Sequence, residues 1–114
     1  MNTVAVYGSL KKGKYNHPLM ETSELLGKAT IKAKMFSLGS YPAIIKGDDE
    51  HEVELYNMPD DMFSRVQGME LGAGYIEEEQ EFTIDGESIK ATVYYAGQHL
   101  EEYCKKNREV IKSY

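Results

Sequence analysis

The chain has 114 residues, of which 41% are hydrophobic and 28% charged, and a net charge of −6. That length supports one hydrophobic core, so we expect a single domain over residues 1–114. The acidic balance argues against a nucleic-acid partner, and no apolar run reaches the ~20 residues of a membrane span. The single cysteine, Cys104, cannot form an internal disulfide, and the first residues lack a signal-peptide pattern, so the sequence predicts a cytoplasmic protein.

The first half of the chain is predicted to contain several short strands and one helix. Residues 3–7 are apolar and indicate a buried strand that stops at Gly8, after which turn residues and lysines extend a loop to Pro18. A short helix is predicted over 19–26, with Gly27 as its C-terminal stop. Apolar or alternating segments then predict three further strands, over 29–38, 43–46 and 50–56.

A helix followed by a hairpin is the clearest pattern in the second half of the chain. Pro59, with two acidic residues behind it, suits the first turn of a helix, and Gly72 suits its end. Asp85-Gly86 is typical of a tight hairpin turn. The two strands of this hairpin are predicted over 77–84 and 88–95.

The tail over residues 98–112 carries an apolar stripe and is predicted to be a helix. In total the chain is expected to form about six short strands and two or three helices. Strands this short and numerous favour an α+β fold with a small, mixed, largely antiparallel and barrel-like sheet over a doubly wound parallel sheet.

The loop after the first strand contains two patterns of known enzymes, and neither is complete. From Gly8 to Lys14 the spacing is that of a phosphate-binding loop, but Tyr15 stands where the motif needs a hydroxyl for Mg²⁺. Ser9 and Lys12 have the spacing of an S-x-x-K nucleophile, which requires a helix rather than a glycine-flanked loop. No metal is expected either, because the histidines lack ligand spacing: His17, His51 and His99.

Two features remain as candidates for chemistry, the turn after the first strand and one carboxylate. Backbone N–H groups from Gly8 to Leu10 could bind an anion or a developing oxyanion, although an ordinary tight turn fits the same residues. Glu70 lies near the end of the predicted helix, where the negative end of the helix dipole raises the pKa of a carboxyl group. Glu70 is therefore either a general acid/base or a solvated surface residue.

Five segments of the chain, taken in order, resemble the γ-glutamylcyclotransferase-like family. The family patterns are an apolar strand with Y-G-[ST]-L, basic residues, G and N-H, followed by G-x-Y-P-A, G-E-L-Y, L-D-x-[LF]-E and A-x-V-Y. Each pattern is short, but five in order span nearly the whole chain. The matching residues here are 4–13 with Asn16-His17, 38–43, 54–56, 66–70 and 91–94.

The resemblance implies a small mixed barrel-like fold and the cofactor-free cyclisation of a γ-glutamyl amine or γ-glutamyl amino acid to 5-oxoproline and a free amine. It implies that Glu70 is the catalytic acid/base and that the substrate, a small molecule, is bound by Tyr7, Gly8, Ser9 and Leu10. The alternatives are a catalytically inactive ligand-binding module of the same fold, or an interaction domain that uses the acidic residues 77–79.

The chain departs from the family patterns around the predicted catalytic residue. Val53 replaces a glycine, Gln67 stands where Asp is common, and Glu77 stands where Arg is common. These differences bear on substrate choice and on turnover, so the sequence leaves both open.

Overall fold

A curved sheet with two helices forms the framework of the protein in the computed structural model, which describes residues 2–8, 21–39 and 41–114. Within that part of the chain the strands are β1 (Asn2–Val6), β2 (Glu24–Ser37), β3 (Pro42–Lys46), β4 (Asp49–Met58), β5 (Tyr75–Ile84), β6 (Glu87–Ala96) and β7 (Val110–Ile111). The helices are α1 (Asp60–Gly72) and α2 (Gln98–Asn107). The predicted α+β fold with a largely antiparallel sheet is confirmed.

The strands follow the order β3-β2-β4-β1-β6-β5 across the sheet, and β7 pairs with β2. β1 lies between β4, to which it is antiparallel, and β6, to which it is parallel. The other described pairings are antiparallel. This order places β1 beside β6, although the two strands are far apart in the chain.

The sheet curls until strands from its two ends approach each other. β2 contacts β5 and β3 contacts β6, although neither pair is hydrogen-bonded as neighbours in the sheet. Lys46 on β3 illustrates this closure, since its Nζ lies 3.0 Å from Oε1 of Glu78 and 4.2 Å from the centroid of the Tyr95 ring. One face of the sheet therefore encloses an inner core.

Alternating residues of the strands supply two separate cores. Ala5 points into the inner core with Leu55 and Val93, whereas Val4 points to the other face and packs with Val66 of α1. Neighbouring side chains of a strand point to opposite faces, so a short apolar run such as β1 can serve both cores. Both faces of β1 are thus buried, as its sequence predicted.

Helix α1 begins where the sequence predicted. Pro59 has φ −58°, which suits the position before the first helical turn, and Asp60 and Asp61 lie at the positive end of the helix dipole. Met62 and Val66 are the buried residues of the helix and fix it against the outer face of the sheet. This attachment directs the last turn of α1, which contains Glu70, toward the end of β1.

The hairpin of β5 and β6 is also confirmed. Asp85 has φ 50° and Gly86 has φ 81°, which are the left-handed conformations that a tight two-residue turn of this kind requires. The register runs from Ile84 opposite Glu87 to Tyr75 opposite Ala96. That register fixes which residues of the two strands face α1.

The predicted helix over 19–26, with its stop at Gly27, is wrong. Residues 24–26, expected at the end of a helix over 19–26, begin strand β2, and Leu25 pairs with Tyr56. Gly27 does not end a helix; it lies at a β-bulge with φ 151°, where an added Cβ would come within 2.9 Å of Ile84. Residues 19 and 20 lie outside the described part of the chain.

The C-terminal helix is shorter than predicted. It ends at Asn107 rather than near residue 112, and Ile111 pairs with Met35 of β2. Pairing with a distant strand thus overrides the helical stripe of the last few residues. Across the described residues, no helix is both long and apolar enough to cross a membrane.

Candidate active site

A cavity of about 300 Å³ lies between the end of β1, the last turns of α1 and the adjoining ends of β5 and β6. A volume of this size is at the lower end of the range for small-molecule sites. Its lining includes residues from five separate parts of the chain, among them Tyr7, Gly8, Pro42, Glu70, Tyr75 and Tyr94. Three of these, Tyr7, Gly8 and Glu70, are site residues that the sequence predicted.

The end of β1 forms one wall of the cavity. The Tyr7 side chain is 7% exposed, and its hydroxyl donates a hydrogen bond of 2.5 Å to the backbone carbonyl of Tyr94. Position 8 requires a glycine, because an added Cβ would lie 2.7 Å from Cδ of Pro42. The backbone of the turn can therefore pass close to the segment that begins β3.

Some predicted residues of the same turn lie outside the described part of the chain. Ser9 and Leu10, the two remaining substrate-binding candidates, are among them, together with the neighbouring lysines and His17. The described geometry therefore brings Tyr7 and Gly8 to the cavity with Glu70, and it does not test the other half of the turn.

Glu70 faces the cavity from the last turns of α1. Its side chain is partly buried, and burial raises the pKa of its carboxyl group from an ordinary value of 4.5 to about 7. Among the described residues, no group donates a hydrogen bond to this carboxyl that would favour its charged form. Both protonation states of Glu70 are consequently populated near neutral pH.

Buried tyrosines surround Glu70. The Tyr75 hydroxyl donates a hydrogen bond of 2.7 Å to the backbone carbonyl of Pro42, and the Tyr94 hydroxyl donates one of 3.2 Å to Oε1 of Glu77. Burial, followed by the charge of Glu70, raises the pKa of Tyr75, and burial together with Glu77 raises that of Tyr94. Burial also raises the pKa of Tyr7 well above its ordinary value. These three phenols stay neutral.

Sequence reasoning missed the contributions of Pro42 and Tyr94. Both residues lie within the matched family patterns, at 38–43 and 91–94, but neither was predicted as a site residue. Their contribution depends on the approach of distant segments, which those short patterns do not specify.

Glu77 is connected to the cavity through its hydrogen bonds. It lies opposite Tyr94 in the β5–β6 register, and Gln67 Nε2 donates to the same Oε1 at 2.5 Å. Gln67 lies one helical turn before Glu70, so the two side chains share a face of α1. Glu77 and Gln67 do not line the cavity themselves, and Glu77 is joined to it through Tyr94. We call Glu70, Gln67, Tyr75, Tyr94 and Glu77 the polar wall, with Glu70 at its inner end and Glu77 at its outer end.

The remaining candidates from the sequence form no second site among the described residues. No group of three or more potential metal-binding side chains is present in the part of the chain that the structure describes. His51 is buried on β4, and His99 is exposed on α2. Cys104 is the buried residue of α2, and burial raises the pKa of its thiol.

Comparison with known proteins places this architecture in a family. The model of the family described as "Gamma-glutamyl cyclotransferase, AIG2-like" matches residues 4–113. The chain belongs to that family. The match includes all the described residues that line the cavity, so the family relationship covers the site as well as the sheet.

Archaeal relatives show the same relationship at the level of sequence. A Pyrococcus horikoshii protein named "putative gamma-glutamylcyclotransferase" is 33% identical over 72 residues, which cover 63% of this chain and 62% of the relative. A Methanocaldococcus jannaschii protein of the same name is 28% identical over 101 residues, 83% of this chain and 84% of the relative. The chain spans only 62% and 60% of the length of the first two relatives that it matches.

Solved structures share the fold. An uncharacterised protein from Pyrococcus horikoshii has a TM-score of 0.72 at 27% identity, covering 98% of this chain and 86% of its own. An AIG2-like protein from Mus musculus has a TM-score of 0.76 at 18% identity, covering 100% of this chain and 88% of its own. The second likeness, at this identity, concerns the fold alone.

Proposed function

We propose that the cavity catalyses the cofactor-free cyclisation of a small γ-glutamyl amine or γ-glutamyl amino acid to 5-oxoproline and a free amine. The observation that carries the proposal is the presence of Glu70, with a carboxyl pKa of about 7, in one cavity with Tyr7 and Gly8. Membership of the gamma-glutamyl cyclotransferase, AIG2-like family supports the same reaction.

The reaction joins two ends of one substrate molecule. The α-amine nitrogen attacks the γ-carbonyl carbon and forms the ring C–N bond, and the tetrahedral intermediate then releases the amine by breaking the original amide C–N bond. Atoms balance without water or a second substrate. A cavity that folds the γ-glutamyl chain on itself supplies much of the advantage of an intramolecular reaction.

Proton transfer is the task that we assign to Glu70. As a carboxylate it accepts the proton that the attacking amine loses, and as an acid it returns this proton to the departing nitrogen. A pKa of about 7 suits both steps, because neither protonation state is strongly disfavoured near neutral pH. Such a group typically contributes about 10²–10⁴-fold to the rate.

Substrate binding is the task that we assign to the turn at the end of β1. Tyr7 and Gly8 line the cavity, and Ser9 and Leu10 follow them in the sequence. Backbone N–H groups in such a turn suit the α-carboxylate of the substrate or the oxyanion of the tetrahedral intermediate. Gly8 lines the cavity without a side chain of its own, so its backbone is open to a bound substrate, which supports this assignment.

A panel of γ-glutamyl amines and γ-glutamyl dipeptides, assayed for release of 5-oxoproline, tests the proposal. We expect turnover of at least one compound and a loss of about 10²–10⁴-fold in kcat for Glu70→Gln. The control variant is Glu102→Gln, which makes the same change on an exposed face of α2 and should leave the rate unchanged.

Three outcomes separate the alternatives. Full turnover by Glu70→Gln would exclude Glu70 as the acid/base. Binding of a γ-glutamyl compound without 5-oxoproline release by the wild-type protein would favour an inactive ligand-binding module. If no compound of the panel were either turned over or bound, the assignment of the cavity would be refuted.

A further inference from the structure

Two of the buried tyrosines beside the cavity donate their hydroxyl hydrogens to backbone carbonyl oxygens. Tyr7 donates to the carbonyl of Tyr94, and Tyr75 donates to that of Pro42. Because a carbonyl oxygen can only accept, the direction of both hydrogen bonds is fixed. The hydroxyl oxygen of Tyr75 can therefore offer a ligand lone pairs but no proton, whereas the Tyr7 side chain packs in the inner core.

At the outer end of the wall, the direction of the hydrogen bonds is fixed in the same way. Tyr94 donates its hydroxyl proton to Glu77, and Gln67 donates its amide proton to the same carboxylate oxygen. A carboxylate accepts and does not donate, so again the direction is fixed. Gln67 keeps a second amide N–H, but Tyr75, Tyr94 and Glu77 present acceptors, so a ligand that lies along these three residues must supply donors.

The charge of Glu77 is not neutralised within the described part of the chain. Among those residues, no lysine, arginine or histidine lies within ion-pair distance of Glu77. The lysines near this strand pair with its neighbours instead: Lys46 with Glu78 at 3.0 Å and Lys90 with Glu79 at 3.9 Å. The donors to Glu77 are both uncharged, so they orient its carboxylate without cancelling its charge.

The position of Glu77 brings its charge close to the path of the leaving amine of the proposed substrate. Gln67 and Glu70 lie one turn apart on α1, and Glu77 is hydrogen-bonded to Gln67 and is exposed to solvent. The wall therefore leads from the acid/base outward to the surface. When the scissile amide nitrogen is beside Glu70, the substituent on that nitrogen is the part that extends along this wall.

We propose that this wall selects a leaving amine that carries a positive charge a few bonds beyond the scissile nitrogen, with Glu77 as the specificity-determining residue. The proposal rests on the proposed function for the orientation of the substrate. It adds the class of amine, a short aliphatic diamine or a larger amine with a cationic tail. An anionic tail, such as the carboxylate of an amino acid, would be repelled by the charge of Glu77.

Three γ-glutamyl amides of equal length test the proposal because they differ only in the charge at the tail. Their amines are 1,4-diaminobutane (cationic), pentylamine (neutral) and 4-aminobutanoic acid (anionic). Binding is measured by calorimetry with Glu70→Gln, in which the amide should persist, and turnover is measured with the wild-type protein by release of 5-oxoproline.

In the Glu70→Gln background we expect the cationic amide to bind about fivefold more tightly than the neutral one, and the anionic amide to bind most weakly. Adding Glu77→Gln should remove most of this preference for the cationic amide over the neutral one. The matched control is Glu79→Gln, which removes the same charge two residues along the same exposed strand and should preserve the preference. High salt should weaken the preference, since Glu77 is exposed.

The outcomes keep this proposal separate from the cyclisation itself. Equal affinities for the three amides, a preference that survives Glu77→Gln, or no binding of any amide would overturn the assignment of Glu77. A charge preference that depends on Glu77, with no 5-oxoproline from the wild-type protein, would uphold the assignment and refute the cyclisation.

Discussion

The two ends of the cavity wall contain the same side chain in opposite surroundings. At the inner end, Glu70 is partly buried and receives no hydrogen bond from the described residues, and its carboxyl pKa rises to about 7. At the outer end, Glu77 is exposed and accepts hydrogen bonds from Gln67 and Tyr94. The first arrangement suits a group that exchanges a proton, and the second suits a fixed negative charge.

The largest expected effect is the influence of Glu70, at the inner end, on how the stability of the protein depends on pH. Because the pKa of Glu70 is higher in the folded protein than its ordinary value of 4.5, the folded state holds the proton more tightly than the unfolded chain. Stability should therefore fall as pH rises from about 4.5 to about 7. Glu70→Gln removes this loss and should be roughly 1–2 kcal/mol more stable than wild type at pH 8, after allowance for partial exposure.

Urea unfolding of the two proteins at pH 4.5 and pH 8 measures this difference. We expect the gap in the free energy of unfolding between variant and wild type to grow with pH. The control is Glu109→Gln, which makes the same change at an exposed position away from the cavity. A gap that is the same at both pH values would show that burial does not disfavour the Glu70 carboxylate.

A smaller effect should follow from removing the hydroxyl that connects the cavity to Glu77. Tyr94→Phe deletes one donor to Glu77 and should lower the free energy of unfolding by about 0.5–1.5 kcal/mol. It should also reduce the preference for a cationic amide, but by less than Glu77→Gln does, because Gln67 still orients the carboxylate.

Thermal or urea unfolding and the amide-binding assay together test this expectation, with Tyr103→Phe as the control. Tyr103 is 45% exposed on α2, and its hydroxyl accepts from Arg108 at the surface. If Tyr94→Phe were as stable as wild type and bound the amides in the same order with the same ratios, the hydroxyl would contribute neither to stability nor to the charge preference.

The elements with strong local signals were predicted from the sequence. The acidic first turn after Pro59 defined α1, and Asp85-Gly86 defined the hairpin, because in both cases the determining interactions lie within a few residues. Family patterns, rather than periodicity, identified Glu70 and the turn at Tyr7 and Gly8. The structure places these three residues around one cavity.

The features that were missed depend on contacts between distant segments. Residues 24–26 have a helical pattern locally, but pairing with β4 makes them part of a long strand. Ile111 continues a helical stripe, but pairing with Met35 makes it a strand residue. The alignment of Glu77 with Tyr94 and Gln67 likewise depends on the exact register of β5 and β6 and on the placement of α1, which no local pattern specifies.

Direct titration of the Glu70 side chain is the measurement that tests the central claim most closely. The carboxyl carbon can be followed by ¹³C NMR from pH 3 to pH 9, with Glu70→Gln used to assign its signal. The account predicts a midpoint near 7, well above the ordinary 4.5, because burial disfavours the charged form. A midpoint near 4.5 would contradict it, since Glu70 would then be an ordinary solvated carboxylate and would not suit both proton-transfer steps near neutral pH.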